Sequence, residues 1–233
     1  MREQPQQKPP PVQRLRIRYA KRGRLRFTSH RDFSRAFERA VFRARIPMAY
    51  SSGFNPHPRI SYAGAAPTGS ASEAEYLEIA LAETVDPEQV RADLDAVLPD
   101  GLDVLQVVEA GPGALADRLQ ASRWRIEVGA AAGALDDAVA GFLAEESVVV
   151  ERMTKKGVRS FDCRAACLTM AGSGDGVLEV VLRHTEPAVR PDDVLTGLTR
   201  TAGLDVGDGV LLTRLEQGTY DPETATIGDP FAG

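Results

Sequence analysis

The chain has 233 residues, 43% of them apolar and 26% charged, which is sufficient for one large globular domain or two small ones. No apolar run reaches the ~18 residues needed to cross a bilayer, and the opening MREQPQQKPPPVQ lacks the apolar core of a signal peptide, so we expect a cytoplasmic protein with no membrane partner. Residues 1–60 carry 15 Lys and Arg against three acidic residues, a net charge of +12, whereas the remainder carries 13 against 30, so the overall charge of −5 does not exclude phosphate binding.

The first predicted elements are a leader and a strand. Residues 1–12 combine Gln with Pro and have too little apolar surface to fold, which predicts a disordered leader. From Gln13 the run RLRIRYA alternates apolar residues with arginine, the pattern of a half-buried strand. After a turn at 21–23, the run LRF is predicted to resume the strand. The arginines expected on the solvent face are Arg14, Arg16 and Arg18.

A helix is predicted next, because apolar residues from Phe33 to Ala44 recur at helical spacing. Ser29, with Asp32 three positions later, is typical of a helix N-terminus, and Pro47 is expected to end the helix. The rest of this unit is predicted as a loop at 48–61, a strand at 75–81, a helix at 86–99 and a strand at 103–110.

The second half of the chain shows a similar order of elements. Its predicted strands are 122–129, 148–154, 177–184 and 210–217, and its predicted helices are 134–146 and 191–203. We therefore predict an α+β protein built as a tandem of two ferredoxin-like βαββαβ units, at 13–113 and 114–220, followed by a loose tail at 221–233. The repeat rests on element order alone, because the two halves share no sequence identity.

The first helix carries the clearest functional pattern. On a helical wheel Arg31, Arg35 and Arg39 fall opposite the apolar stripe, and Phe42 lies among the basic residues. Such a face is either a solvated helix surface or a phosphate-binding surface. The planar guanidinium group suits phosphate, few acidic residues lie nearby, and an exposed aromatic ring can stack on a base. The pattern favours RNA, either tRNA or rRNA, as the partner.

Two further segments could extend that surface. The loop SSGFNPHPRI presents Asn55, His57 and Arg59, and the prolines beside His57 restrict its backbone, although a purely structural turn is the alternative. The run MTKKGVRSFDCR indicates either a basic hairpin, with Asp162 paired to an arginine, or a second part of the basic surface. Its candidate RNA-binding residues are Lys155, Lys156, Arg159 and Arg164.

Metal and cofactor chemistry has little support in the sequence. The three histidines are dispersed, and Cys163 and Cys167 are too few for a four-cysteine zinc site or a disulfide framework. We expect no cofactor and no catalysis by this chain alone. His30, at the helix start, could be a cap or a ligand, and His184 is expected at the surface.

Two other functions remain open. A metal-independent endoribonuclease would use His30 or His57 as the general base, with Arg31 or Arg59 stabilising the phosphorane. Tandem ferredoxin-like proteins of the CRISPR RNA-processing type are similar to the expected architecture, but a fold does not confer a function. A protein-docking domain would instead place the same arginines against an acidic partner.

The run from Gly23 to Leu81 resembles the opening of the radical SAM-linked family, a bacterial domain of unknown function. The run KKGVRSFDCR resembles that family's second basic motif, although Ala165, Ala166 and Cys167 follow it where a Pro-containing segment is expected. The matching residues of the first run are Phe27, Ser29, His30, Asp32, Gly53, Phe54, Pro56, His57, Pro58, Gly69, Glu75 and Tyr76.

The resemblance implies a partner rather than an activity. Members of that family occur alone or fused to a B12-binding radical SAM protein. This chain has no CxxxCxxC motif to hold the iron–sulfur cluster of such an enzyme. Any radical step would therefore belong to a separate polypeptide, and we expect this chain to be an RNA-binding and partner-binding module of that system.

Overall fold

The structure is a computed structural model that describes residues 7–131, 133–154, 157–173 and 175–232. The chain divides into two compact units. Unit 1 contains the described residues of Met1–Asp117 and Phe231–Gly233, and unit 2 contains those of Arg118–Pro230. The division lies after Asp117, whereas the sequence places a boundary after Gly113.

Unit 1 follows the order strand, helix, two strands, helix and strand. Its elements are β1 (Gln13–Lys21), α1 (His30–Arg43), β2 (Ile60–Ala63), β3 (Ala71–Leu81), α2 (Pro87–Asp95) and β4 (Val104–Glu109), with 3₁₀ turns at Gly23–Phe27 and Leu115–Arg118. The strands pair antiparallel in the order β4, β1, β3, β2. β1 is therefore a central strand with partners on both sides.

The core of unit 1 lies between this sheet and the two helices. Leu15 and Ile17 of β1 are fully buried, and the ring of Phe33 from α1 stacks on Tyr19 with 4.5 Å between centroids. α2 adds buried apolar side chains in the same cluster. Burial of one such large side chain stabilises a fold by about 1.5–3 kcal/mol, so these contacts fix the orientation of α1 on the sheet.

Both ends of α1 follow from local sequence. The Ser29 hydroxyl accepts a hydrogen bond from the backbone N–H of Asp32 at 3.2 Å, the interaction expected of an N-cap. The helix ends at Arg43, two residues before Arg45, which adopts a left-handed conformation with φ of 55°. Pro47 is predicted to end the helix, but the helix ends before it, at the turn formed by Arg45.

Unit 2 has a comparable order with an insertion. Its elements are β5 (Ala121–Glu127), α3 (Ala134–Ala144), β6 (Val149–Thr154), β7 (Gly157–Asp162), α4 (Cys163–Ala166), β8 (Cys167–Ser173), β9 (Val177–Arg183), α5 (Pro191–Ala202), β10 (Leu211–Asp221) and β11 (Thr226–Gly228). The main strands pair antiparallel in the order β10, β5, β9, β8, and β11 pairs with β10. β6 and β7 form a separate hairpin.

The α+β class predicted from the sequence is confirmed, and some elements differ. Residues 24–27 form a 3₁₀ turn instead of a strand, because Gly23 adopts φ of 54° and breaks the extended chain. The expected loose tail contains β11, whose Thr226 pairs with Asp221. Another residue of that tail, Phe231, packs its ring edge-on against Tyr76 at 5.4 Å within unit 1.

Within the described part of the chain, no helix has the length and hydropathy that a bilayer crossing needs.

Candidate nucleic-acid interface

The outward face of α1 carries the three arginines predicted from the helical wheel. Arg31, Arg35 and Arg39 follow one another at four-residue spacing and are all exposed. The opposite face buries Phe33 and Phe37, which holds the arginines away from the core. Among the described carboxylates, none forms an ion pair with these three side chains. Their charges are therefore available to an external anion.

A groove next to this face, which we call the aromatic groove, has a volume of about 750 Å³. Its wall includes Phe42 and Tyr50, whose side chains are 80% and 41% exposed. Together these two rings give the groove an exposed apolar wall, and an apolar patch bordered by polar residues is typical of an interaction site. The remaining lining residues are Arg35, Glu38, Arg39, Val41, Arg43 and Pro58.

The loop after α1 is closed at its base by two hydrogen bonds. The backbone N–H of Ser51 donates to the His57 carbonyl at 2.9 Å, and the N–H of His57 donates to the Ser51 hydroxyl at 3.0 Å. Just outside this closure, Tyr50 and Pro58 form an isolated β-bridge. Phe54 and Asn55 lie exposed at the tip. From the sequence we expect the prolines to restrict this loop. In the structure, the hydrogen bonds that close the loop are made by Ser51.

A second groove, which we call the His57 groove, lies on the other side of Pro58 and has a volume of about 330 Å³. It brings together three of the predicted residues, Arg14, His57 and Arg59. The Arg14 side chain is 61% exposed and lies 3.6 Å from the Glu78 carboxylate. Among the described residues Arg59 has no ion pair. Pro58 lines both grooves, so they adjoin.

Two predicted arginines do not belong to this surface. Arg16 is only 1% exposed, and it donates to Glu78 at 3.3 Å and to the carbonyls of Gly111 and Gly113 at 3.0 and 2.6 Å. Arg18 is half-buried and donates to the Glu73 carbonyl at 2.9 Å. The assignment of Arg16 and Arg18 to an exposed face is therefore wrong, because the chain after β4 covers Arg16 and a backbone carbonyl of β3 binds Arg18.

His30 lies apart from the two grooves. Ser29 caps α1, and His30 occupies the first helical position, exposed, with its ring edge-on to Tyr62 at 4.9 Å between centroids. His30 is therefore not the cap. His57 shares the His57 groove with the candidate arginine Arg59, whereas His30 lines neither of the two grooves.

In unit 2, the second basic segment forms the β6–β7 hairpin and α4. Arg159 is exposed on β7, and Lys155 and Lys156 lie outside the described residues. Arg164 is half-buried and donates to the Leu143 carbonyl at 3.3 Å, near the C-terminus of α3, where a cation is favourable. Its assignment to an open RNA-binding surface is not supported by this position.

Among the described residues, no arginine forms an ion pair with Asp162. Its carboxylate accepts hydrogen bonds from the N–H groups of Arg164 and Ala165 and so caps α4. Burial disfavours the charged form of Asp162, but these bonds, with those from Ser147 and Val148, outweigh it and lower its pKa. In the hairpin alternative Asp162 is paired with an arginine, whereas in the structure it caps α4.

Comparison with known proteins gives one informative result. The family model described as "uncharacterized protein conserved in bacteria (DUF2344)" matches residues 14–191. The chain belongs to the DUF2344 family. No curated protein has a matching sequence. A solved structure, titled an unknown protein from Galdieria sulphuraria, is 14% identical over 88% of this chain and 99% of its own, but with a TM-score of 0.27.

The family match covers every candidate site residue of this DUF2344 chain, from Arg14 to Arg164. The description of the family names no activity, substrate or partner. Among the described residues, no cluster of three or more His, Cys, Asp or Glu side chains could hold a metal ion. The association with radical SAM enzymes that the resemblance implies stays a prediction.

The two cysteines of the DUF2344 chain are buried within unit 2. Burial raises the pKa of Cys163 to about 12 and that of Cys167 to about 11. Since the thiolate is the reactive form, we expect neither cysteine to react with iodoacetamide at neutral pH while the protein is folded. Mass spectrometry should find both alkylated in urea. Rapid modification of either cysteine in the native protein would contradict this burial.

Proposed function

We propose that this chain is a non-catalytic RNA-binding module, and that RNA binds to unit 1 across α1, the aromatic groove and the His57 groove. The observation that carries the proposal is the group of three exposed arginines on α1, unpaired among the described residues, beside an exposed phenylalanine. Phosphate groups and bases are the ligands that such a combination suits.

The energetics of α1 support a bound polyanion. Arg31, Arg35 and Arg39 are like charges at i,i+4 spacing, and each such pair destabilises a helix by about 0.2–0.5 kcal/mol. α1 contains two acidic residues, Asp32 and Glu38, and among the described residues neither forms an ion pair with these arginines. Phosphates would relieve this repulsion, and the release of their counterions would contribute to affinity.

We also propose that both units have the ferredoxin-like fold. In unit 1 the order of elements is βαββαβ, and the sheet order is β4, β1, β3, β2. In unit 2 the corresponding order is β10, β5, β9, β8, with the β6–β7 hairpin and α4 inserted after α3.

The proposal also includes the cellular compartment and the protein partner of the module. We place it in the cytoplasm, and we propose a radical SAM enzyme on a separate chain as its protein partner. That partner rests only on the family resemblance of the run from Gly23 to Leu81 and of the run KKGVRSFDCR. RNA binding itself does not depend on this partner and can be tested alone.

The test is fluorescence anisotropy with a labelled structured RNA over a series from about 50 to about 300 mM salt. We expect Arg39→Ala to weaken binding and to reduce the salt slope by about 0.7–0.9, because one phosphate contact is lost. Arg91→Ala is the matched control, since Arg91 also lies on a helix but is paired with Glu88 at 2.7 Å. Its salt slope should equal that of the wild type.

Three results would count against the proposal. Salt-independent affinity, or equal effects of the two variants, would reject phosphate contacts by α1. RNA cleavage in EDTA that His57→Ala abolishes would make the chain an endoribonuclease. Recovery of the same partners from nuclease-treated and untreated lysate, without RNA binding by the purified protein, would favour protein docking.

A further inference from the structure

The two grooves of unit 1 indicate what form of RNA is bound. We infer that the site takes a single-stranded segment, with a base on Phe42 in the aromatic groove and the following backbone in the His57 groove. This inference rests on the proposed function and specifies its substrate. It follows from the exposed rings, the shared wall at Pro58 and the position of the cations.

The exposed rings favour unpaired bases. Phe42 and Tyr50 line one groove, and Phe54 is 71% exposed at the tip of the adjoining loop. In an A-form duplex the bases are stacked on each other and the major groove is too narrow to admit such side chains. Unpaired bases have free faces, and aromatic side chains bind them with little regard to sequence. These rings therefore suit a single strand.

The two grooves meet at Pro58, so one RNA strand can occupy both. Pro58 lines both of them, and its β-bridge with Tyr50 holds the shared wall in place. A strand that leaves Phe42 across this wall next meets Arg59 and Arg14. On the first side of the wall, Arg35 and Arg39 lie next to the ring. Cations therefore lie on both sides of the stacking position, and each groove also contains one carboxylate, Glu38 in the first and Glu78 in the second.

The loop closure gives the path a rigid wall. The reciprocal hydrogen bonds between Ser51 and His57 close the loop within the chain itself. A wall that is already formed costs less conformational entropy when a flexible strand binds. Most of the conformational entropy lost on binding is therefore that of the RNA strand. Affinity should rise with the length of the oligonucleotide only until both grooves are filled.

The experiment uses the full chain and labelled oligouridylates from about 3 to about 12 nucleotides, together with a fully paired RNA duplex of similar length. We expect the single strands to bind more tightly than the duplex. Phe42→Ala should weaken single strands of every length by about 5-fold to 150-fold, with little change in salt slope. Phe42→Tyr should retain most of the affinity, because it keeps the ring.

Arg59→Ala tests the continuous path. It should leave the shortest oligonucleotides unaffected, because they occupy only the aromatic groove, and weaken the longer ones. Arg39→Ala should weaken both. Phe42 is highly exposed and Arg59 has no ion pair among the described residues, so both variants should melt at the wild-type temperature.

The outcomes separate this inference from the proposed function. Equal affinity for duplex and single strand, or wild-type binding by Phe42→Ala while Arg39→Ala binds weakly, would overturn the single-strand inference and leave RNA binding intact. An effect of Arg59→Ala that is the same at every length would overturn the two-groove path. Absence of binding to every RNA would reject the proposed function itself.

Discussion

RNA affinity is expected to fall by about a thousandfold at low salt when four arginines are replaced together with alanine: Arg31, Arg35, Arg39 and Arg59. Each contact is worth about 1 kcal/mol net in water, so four of them amount to about 4 kcal/mol. The salt slope should fall by about 3, since each phosphate contact on a single strand contributes ~0.7. Anisotropy across the salt series measures both quantities.

A charge-matched variant separates specific contacts from general attraction. Four arginines outside the two grooves can be replaced with alanine in the same way: Arg91, Arg125, Arg183 and Arg200. Both variants have the same net charge, so a loss confined to the first identifies a local site. A variant lacking Arg31, Arg35, Arg39 and Arg59 that folds and binds RNA as tightly as wild type would refute the nucleic-acid proposal and leave docking to an acidic protein.

The largest expected loss of stability comes from Arg16→Met. Arg16 is 1% exposed, and its removal leaves the carbonyls of Gly111 and Gly113 without this donor and Glu78 with only its longer contact to Arg14. Loss of a buried hydrogen-bond donor typically lowers the free energy of unfolding by about 1–3 kcal/mol, so we expect a loss in that range here. Urea denaturation followed by circular dichroism measures the change.

Arg14→Met is the matched control, because Arg14 pairs with the same carboxylate from an exposed position at 3.6 Å. An exposed pair is worth about 0–1 kcal/mol, so the control should melt near wild type. If both variants lose the same small free energy of unfolding, then the buried Arg16 contributes no more to stability than the exposed Arg14. RNA binding by folded Arg16→Met should be unchanged, because Arg16 does not line either groove.

The difference between Arg16 and Arg39 shows what sequence pattern can predict. The period of α1 separates Arg39 from Phe33 and Phe37, and the structure has them on opposite faces because the helix lies directly on the sheet. The alternation in β1 likewise separates Arg16 from Ile17. Alternation identifies which residues share a face, but it does not reveal that residues near 111–113 will cover that face.

The aromatic groove could be predicted only in part. Phe42 follows from the helical wheel of α1, and Arg43 could have been added because it lies four residues after Arg39. Tyr50 joins the groove through its bridge to Pro58, a pairing across a loop with no periodic signal. In unit 2, β8 was missed because the four-residue helix capped by Asp162 interrupts the strand pattern.

The closure of the loop by Ser51 and His57 also bears on how this site could diversify. The bonds use the backbone of both residues and the hydroxyl of Ser51, and they involve no side chain of the tip. Substitutions at Phe54 or Asn55 would therefore leave the wall between the grooves in place. Related chains could acquire new base preferences through the tip while α1 retains the arginines that provide affinity, so selectivity and binding strength could evolve independently.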